Sequence, residues 1–269
     1  MPLLLPTRRR FASWAAMAAA VGASGLPGCG YLPRAATVPM PTIRFDSPCA
    51  SRARALLVVL PGRGMTMREM NAEGFVAAVH AAGLAVDVLL VDAHVGYYQD
   101  RSIVDRLRID VVEPAMAAGR PSIWLAGISL GGLGALLYAD AHSGDIAGVL
   151  TLAPYLGEPR AVPTSLREAG LRNWQAPQEV QVTKADDEDV GLKAWRIAQR
   201  FVRADPPSTR PPLYLGFGLS DRFAPAEQVL AEALPPARVF TAAGGHDWNP
   251  WLGLWQRMLA ASDLPRCRA

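Results

Sequence analysis

Gly127-Ile128-Ser129-Leu130-Gly131 has the form G-x-S-x-G, which holds a serine hydroxyl between two glycines. Glycine on either side permits a tight turn and a close approach by the chain that follows, so the hydroxyl can stand clear of the backbone. The pentapeptide alone has two readings of equal standing: a nucleophile elbow, or a strand-to-helix turn with a capping serine. A serine hydroxyl is a poor nucleophile at neutral pH. Chemistry at Ser129 therefore requires a base, and the base requires a group that orients it.

Four histidines are present: His80, His94, His142 and His246. His80 and His142 fall within or at the ends of helical patterns and read as surface or packing residues. His94 follows an apolar run and is a candidate for the wall of a site. His246 lies in Gly244-Gly245-His246-Asp247-Trp248, where the glycine pair lets an imidazole swing over strand ends. Between serine and histidine, Gly218-Leu219-Ser220-Asp221 follows the apolar run Leu213–Phe217. Asp221 is there placed to accept the Nδ1–H of His246 and fix its tautomer. Asp247 is too close in sequence to His246 to orient it, and Asp145 falls on the wrong side of a strand. A tetrahedral intermediate would also need two backbone N–H donors. Leu130, the residue after the serine, supplies one. The turn Pro61-Gly62-Arg63-Gly64 supplies the other, with Arg63 favoured over Gly64 by its place in the turn.

These residues need a scaffold that presents strand ends side by side. Ala55–Leu60, Ala85–Val91, Ser122–Gly127, Ile146–Ala153, Leu213–Phe217 and Arg238–Thr241 read as strands, the first two as continuous buried runs. Helical spacing occupies Met67–Ala82, Ile103–Ala118 (with a kink or break at Pro114), Leu133–Ala141, about 188–203, Pro225–Ala233 and Trp248–Ala261. Alternation of this kind predicts an α/β fold with a mostly parallel central sheet covered by helices on both faces. Residues 155–212 break the rhythm with several prolines and an acidic run at Asp186–Asp189. The acids read as the N-terminal end of the helix that follows, where the dipole favours negative charge.

Composition narrows the classes. Of 269 residues 51% are hydrophobic and 19% charged, which suits one globular domain and not a disordered chain. The formal charge of +3 is no larger than the contribution of Arg8, Arg9 and Arg10, so the remainder is neutral and carries no basic footprint for nucleic acid. Those arginines precede an apolar, small-residue stretch from Phe11 to about Gly28. Residues 1–28 therefore read as a signal peptide, with a resemblance to twin-arginine signals. Leu26-Pro27-Gly28-Cys29 resembles a lipobox, which would acylate Cys29 and anchor the chain to a membrane. The alternatives are an uncleaved signal anchor, or cleavage nearby with Cys29 left as an ordinary thiol. Residues 29–54, rich in proline, read as a tether, 55–264 as the domain and 265–269 as a tail. With Cys29 lipidated, Cys49 and Cys267 form an even pair in an oxidising compartment, where a disulfide persists. Closing so long a loop would stabilise by roughly 4–5 kcal/mol on the chain-entropy model. No Cys/His cluster has zinc-ligand spacing, so no metal site is expected.

Leu60-Pro61-Gly62-Arg63-Gly64, Gly127-Ile128-Ser129-Leu130-Gly131-Gly132, the strand-end Asp221 and Gly244-Gly245-His246-Asp247-Trp248-x-x-Trp251 together resemble the α/β-hydrolase superfamily, in its carboxylesterase/lysophospholipase and esterase-D-like branches. The order Ser129, Asp221, His246 is that superfamily's order. Pro61 stands where such families carry a histidine. The resemblance implies that residues 155–212 form a cap, with Trp174 and Trp195 either lining an acyl pocket or packing inside the cap. It implies an exported serine hydrolase of the periplasm or cell envelope acting on small-molecule or lipid esters through an acyl-enzyme, without a cofactor. A cell-envelope acyltransferase with the same residues, or a tethered binding protein without catalysis, are the alternatives.

Overall fold

The computed structural model describes residues 34–49, 53, 55–119, 122–158, 162–178, 189–203 and 210–268. The expected signal, the lipobox and Cys29, and the acidic residues 186–188, lie outside the described residues.

The four central strands are buried at every position because they are covered on both sides, and their residues are apolar except for Thr151, whose hydroxyl donates to the Tyr214 carbonyl. In β2 (Ala55–Leu60), Leu56, Val58 and Leu60 enter one core cluster while Ala55, Leu57 and Val59 enter another. Burying a leucine or valine side chain contributes roughly 1.5–3 kcal/mol, so both faces of this strand are committed to cores. The same two-sided burial marks β4 (Ile123–Ile128), β5 (Gly148–Leu152) and β6 (Leu213–Gly218). With β1 (Thr42–Phe45), β3 (Val86–Val91) and β7 (Val239–Ala242), they form a seven-stranded sheet of order β1-β3-β2-β4-β5-β6-β7. All neighbours are parallel except β1 with β3. After β2 the chain places β3 on one side and β4 on the other. The carboxyl ends of β2 and β4 thus flank the switch point where open α/β sheets place their ligands.

The expected tether at 29–54 requires correction, because β1 falls within it. This strand is short, alternates between exposed and half-buried positions, and occupies a sheet edge. Its pairing depends on a distant partner: Arg44 bonds the buried Asp87 of β3 at 2.6 Å, and the Ser47 N–H donates to the same carboxylate at 2.9 Å. At the other end of the chain, Cys267 forms a disulfide with Cys49, Cα to Cα 5.5 Å.

The single helix expected over 67–82 is two, α1 (Met67–Ala72) and α2 (Phe75–Ala81), separated at Gly74 with φ 87°. The expected helix over 103–118 runs as α4 (Ile103–Leu107), a π-helical turn Arg108–Val112, and α5 (Glu113–Ala117). Pro114 has no N–H for the Asp110 carbonyl and its ring crowds that oxygen, which displaces the helical ladder just ahead of it. Between β3 and α4 a further short helix, α3 (Val95–Gln99), was not expected. After β4 comes α6 (Leu130–Ala141), which starts directly at the serine turn.

The insertion between β5 and β6 contains α7 (Thr164–Ala169) and α8 (Val190–Arg203). Asp189 caps α8, accepting the Leu192 N–H at 2.8 Å, as an acid at that position should. The helix packs on α6, and Arg200 holds Asp140 of α6 in a two-pronged salt bridge. The domain closes with α9 (Ala224–Ala233) before β7 and α10 (Trp248–Ala261) after it.

Candidate active site

Ser129 stands between β4 and α6 at φ 52°, ψ −113°. A non-glycine residue in this region costs about 1–3 kcal/mol, and its surroundings hold it there. The Ser129 N–H donates to the Leu152 carbonyl at 2.8 Å, and the Ser129 carbonyl accepts from the Tyr155 N–H at 2.9 Å. The flanking glycines are fixed by proximity. A Cβ on Gly127 would lie 2.1 Å from the Gly131 carbonyl oxygen, and one on Gly131 would lie 2.3 Å from the Leu60 carbonyl oxygen. Of the two readings of G-x-S-x-G, the geometry is that of an elbow, and no capping bond from the Ser129 side chain is present. The second contact also sets the start of α6 against the end of β2, which brings the Pro61-Gly62-Arg63 turn beside the serine.

His246 lies in the loop between β7 and α10, and Asp221 in the loop after β6. The His246 Nε2 is 3.0 Å from Ser129 Oγ across 117 residues of chain, and its Nδ1 is 2.6 Å from Asp221 Oδ2. The other Asp221 oxygen accepts the Phe223 N–H at 2.8 Å. Asp221 has a fully buried side chain, whereas that of His246 keeps 17% exposure. The imidazole is held edge-on by Phe223 and Trp251, with ring centroids 5.1 and 4.8 Å away. Asp247, too close in sequence to His246 to orient it, caps α10 by accepting the Asn249 N–H at 3.0 Å. Asp145 accepts from the Tyr138 hydroxyl.

Ser129 opens into a cavity of about 480 Å³ whose wall includes Arg63 and Leu130. Among the described residues the backbone N–H groups of Arg63 and Leu130 donate to no protein acceptor, so both are available to an oxygen bound at the serine. Beneath the carboxylate, on α9, lies Glu227, which is fully buried with neither oxygen hydrogen-bonded. Burial, and then the negative charge of Asp221, push its carboxyl up to about 9.

Of the two places expected for Trp174 and Trp195, the structure excludes the first: neither lines this cavity. Both are 1% exposed and belong to the core of the insertion, where the Trp174 indole donates to Ser165 Oγ and the Trp174 carbonyl accepts from Gln199. His94 is not a wall residue either. It caps α3, its Nδ1 accepting the Gly96 N–H at 3.1 Å, and burial lowers its pKa. The wall is built instead by its neighbours on α3, Val95 and Tyr98, and by Ile103, Val104, Leu133 and Leu137. Phe223 and Glu227 carried no signal in the sequence, since a lone aromatic and a helical acid are ordinary on a surface. Trp251 belongs to the histidine motif Gly244–Trp251, but its contact with the imidazole is not legible in sequence.

No protein-family profile matches the chain, and no curated protein matches it by sequence. Solved structures do. A monoacylglycerol lipase of Paleococcus ferrophilus is 16% identical with a TM-score of 0.54, over 83% of this chain and 99% of that one. An S-formylglutathione hydrolase of Staphylococcus aureus is 14% identical with a TM-score of 0.55, over 86% and 98%. A ferulic acid esterase is 12% identical with a TM-score of 0.54, over 83% and 99%. What these likenesses share with the chain is architecture: it has the α/β-hydrolase fold.

Proposed function

We propose that this chain is a serine hydrolase that cleaves carboxylic esters through an acyl-enzyme. The observation that carries the reading is the unbroken hydrogen-bonded line Ser129–His246–Asp221 at the edge of the cavity. In this reading Ser129 Oγ attacks the ester carbonyl carbon while its proton passes to His246 Nε2. Asp221 keeps Nδ1 protonated and stabilises the imidazolium. The oxyanion accepts from the Arg63 and Leu130 N–H groups. Collapse breaks the bond to the alcohol oxygen, and His246 returns the proton to that leaving oxygen. Water then attacks the acyl-enzyme, giving one proton to His246. The carboxylic acid leaves as Ser129 recovers its hydrogen. The strain at Ser129 is spent on presentation: a relaxed backbone there would turn the hydroxyl away from the imidazole. Ester hydrolysis by the solved relatives, a lipase and an esterase by their descriptions, supports the same chemistry.

The same reading takes the chain to be exported and held at the cell envelope through a lipid on Cys29. The support is the arginine-led apolar leader in the sequence, and the Cys49–Cys267 disulfide, which suits an oxidising compartment. Intact mass of the mature protein decides the lipid: the expected product starts at Cys29 with a diacylglycerol increment, and an unmodified cysteine overturns it.

A fluorophosphonate probe on the purified protein tests the chemistry without a guess at substrate. Intact mass should show one adduct on the wild type and none on Ser129→Ala. A folded wild type that takes no adduct would refute an activated serine.

A further inference from the structure

The cavity at Ser129 runs along one face of α6. Leu130, Leu133 and Leu137 line it, and their spacing of three and four residues stacks them in one stripe down the helix. Gly134 belongs to that stripe and contributes no side chain to it. It lies outside G-x-S-x-G, so the close approaches at the elbow do not account for it.

What meets Gly134 is Tyr98 of α3. A Cβ on Gly134 would lie 2.3 Å from Tyr98 Oη and 3.1 Å from its Cζ, so the phenol is seated in the notch that the missing side chain leaves. The hydroxyl is buried there, and among the described residues it has no hydrogen-bond partner. Burial also pushes its pKa up. Each residue is a poor local choice. Glycine inside a helix is less favourable than alanine. A hydroxyl shut off from water without a partner is less favourable than the bare ring of phenylalanine. Yet the two fit each other, and they do so at the wall of the site, since Tyr98 also lines the cavity. Paired departures from local preference are expected where a site is built. With no hydrogen bond to make, what the hydroxyl supplies is length: it lets the ring reach from α3 to α6 and narrow the groove at the level of Gly134.

The acyl part of an ester is the part that meets this ring. His246 must return a proton to the leaving alcohol oxygen, so the alcohol part lies on the imidazole's side of the serine. His246 is not among the residues that line the cavity, whereas Ser129 and the stripe on α6 are. Gly134 is five residues beyond Ser129, about 7 Å along the helix axis. An extended alkyl chain advances roughly 1.3 Å per carbon, so the ring stands about six carbons from the serine.

We infer that Tyr98, seated on Gly134, sets the acyl length this site accepts: chains of about six carbons run freely along α6, and longer ones are obstructed by the ring. The inference rests on the hydrolase reading above and adds the substrate class, esters of short to medium straight-chain acids.

The test measures kcat/KM for p-nitrophenyl butyrate, hexanoate, octanoate and decanoate, each below the concentration at which it aggregates. The wild type is expected to prefer hexanoate to decanoate by about tenfold or more, the scale on which an apolar pocket discriminates by size. Tyr98→Ala should bring the two within about threefold, or favour decanoate. Tyr98→Phe keeps the ring and should keep the wild-type ordering. Gly134→Ala should sharpen the preference for short chains, because the new Cβ drives the hydroxyl off α6 and the ring toward the cavity. Adding Tyr98→Phe to Gly134→Ala removes the colliding oxygen and should restore the wild-type ordering, a coupling that general loosening of the wall does not produce. The wild-type series stands even if Tyr98→Ala fails to fold. Rates of labelling by fluorophosphonates with hexyl and decyl chains give the same comparison should no ester turn over. A wild type that takes the ten-carbon chain as readily as the six-carbon one, or a folded Tyr98→Ala with the wild-type ratio, would overturn the inference and leave the hydrolase intact. No turnover of any ester together with no fluorophosphonate adduct would overturn both.

Discussion

Gly218, at the end of β6, and Gly244, in the histidine loop, approach so closely that a Cβ on Gly218 would lie 2.4 Å from the Gly244 carbonyl oxygen. The same oxygen accepts the Ser220 N–H at 2.9 Å. The acid loop and the histidine loop are thus joined through backbone before their side chains meet, and the 2.6 Å contact of Asp221 with His246 follows from that joint. Gly218→Ala must push the loops apart, since the obstacle is backbone. We expect it to lower kcat by about a hundredfold, the cost of displacing a catalytic group by around an ångström, with a smaller effect on KM. Steady-state kinetics beside a thermal melt check this. A fully active, well-folded variant would show that the joint does not set the geometry.

Asp221→Asn keeps the shape of the buried side chain but can present an amide N–H where Nδ1–H must be accepted. The imidazole then loses its tautomer, and kcat should drop by about a thousand- to ten-thousand-fold. Labelling by fluorophosphonate should slow in parallel, while the thermal melt shows a folded protein. His246→Ala should fall at least as far, and combining it with Asp221→Asn should add little, because the residues act as one unit. Multiplicative losses in the double variant would argue that Asp221 acts independently of the imidazole.

The parts legible in the sequence were those fixed by local chemistry. Ser129 and Asp221 could be read because each follows a strand buried on both faces, which announces itself as an apolar run; His246 follows the half-buried β7 and was legible through its glycine pair instead. Cys49 and Cys267 could be paired by parity. What escaped depends on contacts across the fold. The edge strand Thr42–Phe45 is held by Asp87, an acid that looks out of place in β3 until Arg44 is beside it. Trp174 and Trp195 had two places open to them, an acyl pocket or the interior of the insertion, and nothing local in the sequence decides between these. Burial of their large rings in the core of the insertion leaves the wall to aliphatic residues of α4 and α6. The break at Gly74 was masked by apolar spacing that continues in phase on both sides of it.

The Cys49–Cys267 disulfide spans 218 residues. On the chain-entropy model a crosslink of this length stabilises by about 5 kcal/mol, chiefly by restricting the unfolded chain. Reduction, or Cys49→Ser with Cys267→Ser, should therefore lower Tm by several degrees. The hydrolytic rate at room temperature should change little, since the bridge lies at the opposite end of β2 from the turn beside Ser129. Two free thiols in the oxidised protein, by mass after alkylation without reductant, would refute the bridge.

Glu227 gives the fold a pH dependence of definite sign. Its carboxyl is pushed up to about 9 in the folded protein, by burial first and by the Asp221 charge second, against an ordinary value of 4.5. Because the folded pKa is the higher one, its contribution is fully present below about pH 4.5 and is lost as pH rises toward 9. Between those limits the unfolded chain has released a proton that the folded chain still holds, so stability falls by up to about 1.4 kcal/mol per pH unit from this group. Glu227→Gln retains the shape and cannot ionise. Its Tm should decline less than that of the wild type from pH 5 to 9, with the two curves converging at the acid end. Other titrating groups contribute to both curves and cancel in the difference. Parallel curves across the window would mean that Glu227 finds a way to ionise in the folded state at little cost. In that case its charge beside Asp221 would have to be included in the electrostatics of the site.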